Sequence, residues 1–231
     1  MKENDSTLSK LLRLLMRILA AIAVIDKGPR ALRRTAGNGG RETDPSQRMT
    51  AAFDASGASG QSSSGRLRRS QVLSLLRSDC QALAESKRRE INLLVLHCSD
   101  TRPSQSYTLE MLKRDHARRG FGEWPGYHVY VRRDGTVHYC RPVSVMGCHV
   151  KGYNRNSIGV CYEGGHSDNV SPKYEDNRTA EQQVALSEIF ALLHACWPNA
   201  KIVGHHELNP RKACPCLERA ASIEYAYILK A

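Results

Sequence analysis

Ile91-Asn92-Leu93-Leu94-Val95-Leu96-His97-Cys98-Ser99 is the stretch that decides the fold. Ile91 to Leu96 is a short, nearly continuous apolar run, the pattern of a central strand buried on both faces. A histidine stands where that strand is expected to end. Outward from it, strands and helices interleave. Thr108 is placed to cap a helix that turns Leu109 and Leu112 inward and stops at Gly120. Tyr127 to Val131 and Thr136 to Tyr139 flank Arg132-Arg133-Asp134-Gly135, which reads as a hairpin with Asp-Gly in its turn. Ser157 to Tyr162 is a further strand. Thr179 and Gln182 have capping-box spacing and open a helix whose Leu186, Ile189, Phe190, Leu193 and Trp197 form one stripe. Lys201 to Gly204 is a last short strand, and Ala220 to Leu229 a closing helix. The pattern predicts an α/β fold, a sheet with helices packed on its faces.

Upstream of Ile91 the character changes. Leu8, Leu11, Leu12, Leu15, Ile18, Leu19, Ile22 and Ile25 share one helical face, opposite Lys10, Arg13 and Arg17. Residues 1–27 thus read as a basic amphipathic helix. Peripheral contact with an anionic membrane through residues 8–25 is one reading; packing on its own domain, or a plain tail, is the other. Residues 28–66 are rich in Gly, Ser, Arg and Thr, a flexible-linker composition expected to be disordered. Residues 67–90 form a helix leading into the domain, with Val72, Leu73, Leu76, Cys80 and Leu83 on one face, and 91–231 form the domain itself.

The 231 residues suit one ordinary globular domain with an extension. No apolar run approaches the roughly 18–20 residues of a membrane-spanning helix, and nothing repeats at a fixed period. The net charge of +11 is uneven: residues 1–90 carry 17 Lys and Arg against 9 Asp and Glu, residues 91–231 carry 17 against 14. Arginine in the basic segment is not interleaved with aromatic residues, so no nucleic-acid partner is expected.

Two segments carry chemistry: His97-Cys98-Ser99-Asp100-Thr101, and Gly204-His205-His206-Glu207-Leu208-Asn209-Pro210-Arg211-Lys212-Ala213-Cys214-Pro215. A histidine leaving a central strand, with a histidine and a cysteine nine residues apart in a later loop, can give three ligands to one zinc ion and leave a fourth position open. The spacing is neither CxxC nor HExxH, so on these grounds a structural strand-end histidine stays open. Glu207 lacks the helical offset that would aim it at a metal-bound water.

With Gly126-Tyr127-His128, His149-Val150-Lys151-Gly152-Tyr153-Asn154 and Ser157-Ile158-Gly159-Val160 lying in order between those segments, the chain resembles the type 2 N-acetylmuramoyl-L-alanine amidases. Phage amidase-type lysozymes are the nearer likeness, animal peptidoglycan recognition proteins the more distant. The resemblance runs from about Ile91 to Leu217. It implies a mixed β-sheet with helices on its faces and a groove along a metal-bearing face. It implies one zinc ion per chain on His97, His205 and Cys214, with Tyr127 and Lys212 as catalytic residues beside it. It implies hydrolysis of the amide between N-acetylmuramic acid and L-alanine, with peptidoglycan as partner and His149 and Asn154 as substrate contacts.

His206 is expected to face away from the metal, because neighbours on an extended backbone point to opposite sides. His128 and His138 are expected to be structural. If Cys214 binds zinc, seven of the eight cysteines remain and no disulfide framework emerges. A chain made in a reducing cytoplasm and acting as a monomer on the bacterial cell wall in the periplasm is expected. A non-catalytic peptidoglycan-binding module is the main rival, and the presence of all three ligands weighs against it; a phage-type regulatory protein is the other.

Overall fold

A computed structural model describes residues 67–217. The expectations for residues 1–27, for 28–66 and for the helix at 220–229 lie outside the described residues. Five strands form one mixed sheet: β1 (Leu93–Cys98), β2 (Val129–Val131), β3 (Val137–Tyr139), β4 (Ser157–Tyr162) and β5 (Lys201–Gly204), in the order β3-β2-β4-β1-β5. β1 is central and runs parallel to both β4 and β5; β2 is parallel to β4 and antiparallel to β3. Burial of β1 between two parallel neighbours explains why its sequence is apolar without alternation.

Three longer helices cover the sheet: α1 (Arg69–Ser86), α2 (Leu109–Arg118) and α3 (Ala180–Cys196). α1 and α3 contribute Leu76, Cys80, Leu186, Ile189, Phe190 and Leu193 to a core shared with Leu94, Leu96, Val129, Val131, Ile158 and Val160. The helix expected to lead into the domain is therefore part of its core. α2 lies on the other face, where Leu109 and Leu112 meet Tyr130, Cys140 and Cys161. Alternation along a strand puts Leu94 and Leu96 under α1 and α3, and so Val95 and His97 on the α2 side.

The ends of these elements follow the local chemistry. The Thr108 hydroxyl accepts the Met111 N–H at the start of α2, and Thr179 and Gln182 form a reciprocal capping box at the start of α3. Gly120 after α2 and Gly135 in the hairpin turn both have positive φ, a conformation glycine adopts without penalty. β1 runs further than its apolar stretch suggests and takes in His97 and Cys98. Pairing with β4 continues through His97↔Cys161 and Cys98↔Tyr162, so polar residues remain in the ladder.

Two arginines join the loops on the α2 side. The Arg89 guanidinium donates to the carbonyls of Val143 (2.6 Å), Val145 (3.2 Å), Asn154 (2.7 Å), Arg155 (2.7 Å) and Ser157 (2.5 Å). Arg141 donates to the carbonyls of Phe121, Trp124, Pro125 and Met146. Burial, and then the neighbouring Arg141, lower Arg89 to about 10, which leaves it a cation at neutral pH. Replacing Arg89 with Met leaves five carbonyls without that donor. It is expected to cost at least about 3 kcal/mol in urea unfolding, and Lys restores only part because an ammonium has no fork of donors.

Candidate metal centre

β5 passes directly into a one-turn helix, α4 (His205–Leu208). Because Leu96 lies opposite Gly204 in the parallel ladder, the next residues, His97 and His205, emerge side by side at the same end of the sheet. Their ring centroids are 4.7 Å apart. The chain then returns from Asn209 to Cys214, whose Sγ lies 3.7 Å from His97 Nδ1 and accepts the Cys98 backbone N–H at 3.2 Å. One ligand atom from each of His97, His205 and Cys214 lies within 4.8 Å of the others.

The donor set fits zinc. Two imidazole nitrogens and one sulfur suit a borderline-soft ion. Zinc–nitrogen bonds of about 2.0–2.1 Å and zinc–sulfur bonds of about 2.3 Å place tetrahedral ligand atoms roughly 3.3–3.6 Å apart, close to the sulfur–nitrogen separation here. His97 is only 1% exposed. Burial, then His149 and His205, hold its pKa well below the usual imidazole value, so the ring is neutral as a ligand must be. Burial, then Lys212, lowers His205 as well. Burial, then the Cys98 thiol, raises Cys214, so a metal must displace its proton on binding.

The returning loop is held by its backbone. The Cys214 carbonyl accepts from the His206 N–H at 2.8 Å and lies 3.2 Å from His206 Nδ1, while the Tyr162 hydroxyl donates to the Pro215 carbonyl at 2.6 Å. His206 therefore holds the loop that carries the third ligand. The reason expected for its orientation needs correcting: His205 and His206 stand on a helical turn, not on extended backbone. Glu207 turns back to accept the Gly204 N–H at 2.6 Å, closing that turn.

Tyr127 packs beside His97, ring centroids 5.1 Å apart, and burial first of all pushes its hydroxyl well above the usual phenol value, so it is a proton donor at neutral pH. Lys212 is exposed, and its charge reaches His205. His149 and Asn154, expected at the groove, have partners inside the protein. His149 is 8% exposed, with Nδ1 3.0 Å from His97 Nε2. Asn154 Oδ1 accepts the backbone N–H groups of His149 and Val150, each at 2.9 Å. The sequence reading missed Ser157 and Arg89 as neighbours of this centre. A glycine inside a buried strand, Gly159, was the available signal, since such a glycine often marks a close approach. A Cβ on Gly159 would stand 2.6 Å from the His149 ring. Cys98 and Cys216 stand beside the centre with their sulfurs 3.5 Å apart.

The family model described as N-acetylmuramoyl-L-alanine amidase matches residues 87–216, more than half the chain. The chain belongs to that family. The endolysin of Escherichia phage T7 is 38% identical over 138 residues, covering 59% of this chain and 89% of the endolysin. The endolysin of Enterobacteria phage K11 is 38% identical over 133 residues, covering 58% and 85%. Among solved structures, the endolysin amidase LysCS of Clostridium intestinale URNW is 23% identical with a TM-score of 0.51, over 61% of this chain and 85% of that one, a likeness of fold. The protein is thus an amidase of the type 2 class, with its candidate metal centre inside the matched region.

Replacing Cys214 with Ser or His205 with Ala should abolish stoichiometric metal binding by the amidase. Metal analysis after gel filtration measures this, with far-UV circular dichroism confirming that the fold is retained.

Proposed function

We propose that the amidase holds one zinc ion on His97, His205 and Cys214 and hydrolyses the amide between N-acetylmuramic acid and L-alanine in peptidoglycan, with lysis or remodelling of the bacterial cell wall as the result. One observation carries this reading. Three nitrogen and sulfur ligands from separate segments converge within 4.8 Å, inside the region that matches the amidase family.

An amide carbonyl is a poor electrophile and water a poor nucleophile at neutral pH. A zinc ion held here would supply Lewis acidity to the carbonyl and lower the pKa of a water. The chain's own residues supply the rest. Lys212, two residues before Cys214, brings a positive charge to the oxygen that turns negative as the carbonyl becomes tetrahedral. Tyr127, protonated and packed against His97, donates a hydrogen bond to the reacting group or passes a proton to the leaving nitrogen. Both assignments rest on proximity to the ligands and on the resemblance of Tyr127 and Lys212 to the family's motif. The phage relatives named endolysins support action on the cell wall. A basic amphipathic segment at residues 8–25 would hold the catalytic domain near a membrane surface.

Digestion of purified sacculi with the full chain tests the reaction. Mass spectrometry should show free stem peptides beginning with L-alanine; new reducing sugar ends instead would identify a glycosidase and sink the proposal. A chelator should stop the digestion and zinc restore it. Lys212→Ala and Tyr127→Phe should each retain zinc and the fold while losing about 10²–10³ in rate.

A further inference from the structure

His97 can bind a metal through Nδ1 only if its proton sits on Nε2, and an isolated neutral imidazole has either tautomer open to it. A buried chain of hydrogen bonds removes that freedom. Its origin is the Tyr153 carbonyl, which can only accept, 2.7 Å from the Ser157 hydroxyl. The single proton of Ser157 is spent there, so its oxygen can only accept from His149 Nε2, 3.3 Å away. A neutral His149 with its proton on Nε2 presents a lone pair at Nδ1. That lone pair faces His97 Nε2 at 3.0 Å, so His97 must donate, and its own Nδ1 is left bare on the side of Cys214.

We infer that His149 and Ser157 are positioning residues that fix His97 in its metal-binding tautomer. This rests on the zinc reading above and deepens it. Burial secures the relay: Ser157 is fully buried and His149 nearly so, which leaves water little room to reverse a bond. Its position is built into the fold. Gly159 has no Cβ because the His149 ring occupies that space, Asn154 holds the His149 backbone, and Arg89 grips the carbonyls of Asn154 and Ser157. Ring nitrogens of metal-bound histidines commonly donate to a carboxylate or a carbonyl, and loss of such a partner typically costs 10–100-fold in metal affinity. Here the acceptor is a neutral imidazole, so the centre is oriented without an added negative charge.

The relay is tested on the full chain by two independent readouts. Nitrogen-15 NMR of the histidine rings in the metal-free protein should show His97 and His149 both protonated at Nε2. Chelator competition for zinc should show affinity weakened about 10–100-fold in His149→Phe, partly recovered in His149→Gln, whose amide oxygen can accept from His97. Ser157→Ala should shift the His149 and His97 rings toward mixed tautomers and weaken zinc about tenfold, with the unfolding midpoint of each variant reporting that the fold persists. A proton on Nδ1 of His97 in the metal-free parent overturns the inference. So does a Ser157→Ala variant with unchanged ring signals and zinc affinity within twofold. A parent that shows the Nε2 tautomers but binds no zinc would overturn the zinc reading and leave the relay standing.

Discussion

The register of a parallel ladder, Leu96 opposite Gly204, is the constraint on which this centre depends. Two strands distant in sequence are paired as far as this match, and the residue after it in each chain segment is a histidine. Nothing flexible lies between the sheet and either imidazole: His97 is in the strand, and His205 opens the helix that follows its neighbour without a break. A slip of one residue in either strand would turn a ligand to the opposite face, into the packing of α1 and α3. The apolar core therefore sets the candidate ligands as well as the fold.

Only the third ligand comes from a loop, and that loop is tied at several points. The backbone of Cys214 is gripped by His206 and its sulfur by the Cys98 N–H, while Tyr162 holds the next carbonyl from the strand beside β1. Behind the first imidazole stands the His149 and Ser157 pair, seated in the space left by Gly159. Such support from a rigid scaffold holds ligand geometry to the few tenths of an ångström that function demands. Tyr127, packed against His97, shares this rigidity, whereas Lys212 is exposed at the surface.

The sheet was readable because each strand left a local mark: the apolar run at Ile91 to Leu96, the Asp134-Gly135 turn, the capping pair Thr179 and Gln182. The candidate ligands His97, His205 and Cys214 stood out by residue type and order, and the family resemblance singled them out. What local pattern could not convey was the direction of side chains leaving irregular segments. His149 sits between turns, so no periodicity fixes where its ring goes; the answer lay in Gly159, on a strand ten residues later. The family resemblance offered Asn154 as a substrate contact; that its side-chain oxygen accepts two backbone N–H groups of the preceding turn is a partnership no local pattern shows. His205 and His206 were read on extended backbone because a one-turn helix is too short to leave a periodic signature. Arg89 stands in the run Lys87-Arg88-Arg89, which carries no periodic signal, and its five carbonyl partners lie more than fifty residues away.

The carbonyl-bound arginines carry a consequence for the medium in which this enzyme would work. Surface pairs such as Arg118 with Asp115 draw their strength from opposite charges that dissolved ions weaken. Arg89 and Arg141 hold their loops through fixed peptide dipoles, with no carboxylate among the partners named above for a counterion to replace. The scaffold behind the proposed ligands therefore depends less on ionic strength than one held by exposed ion pairs would.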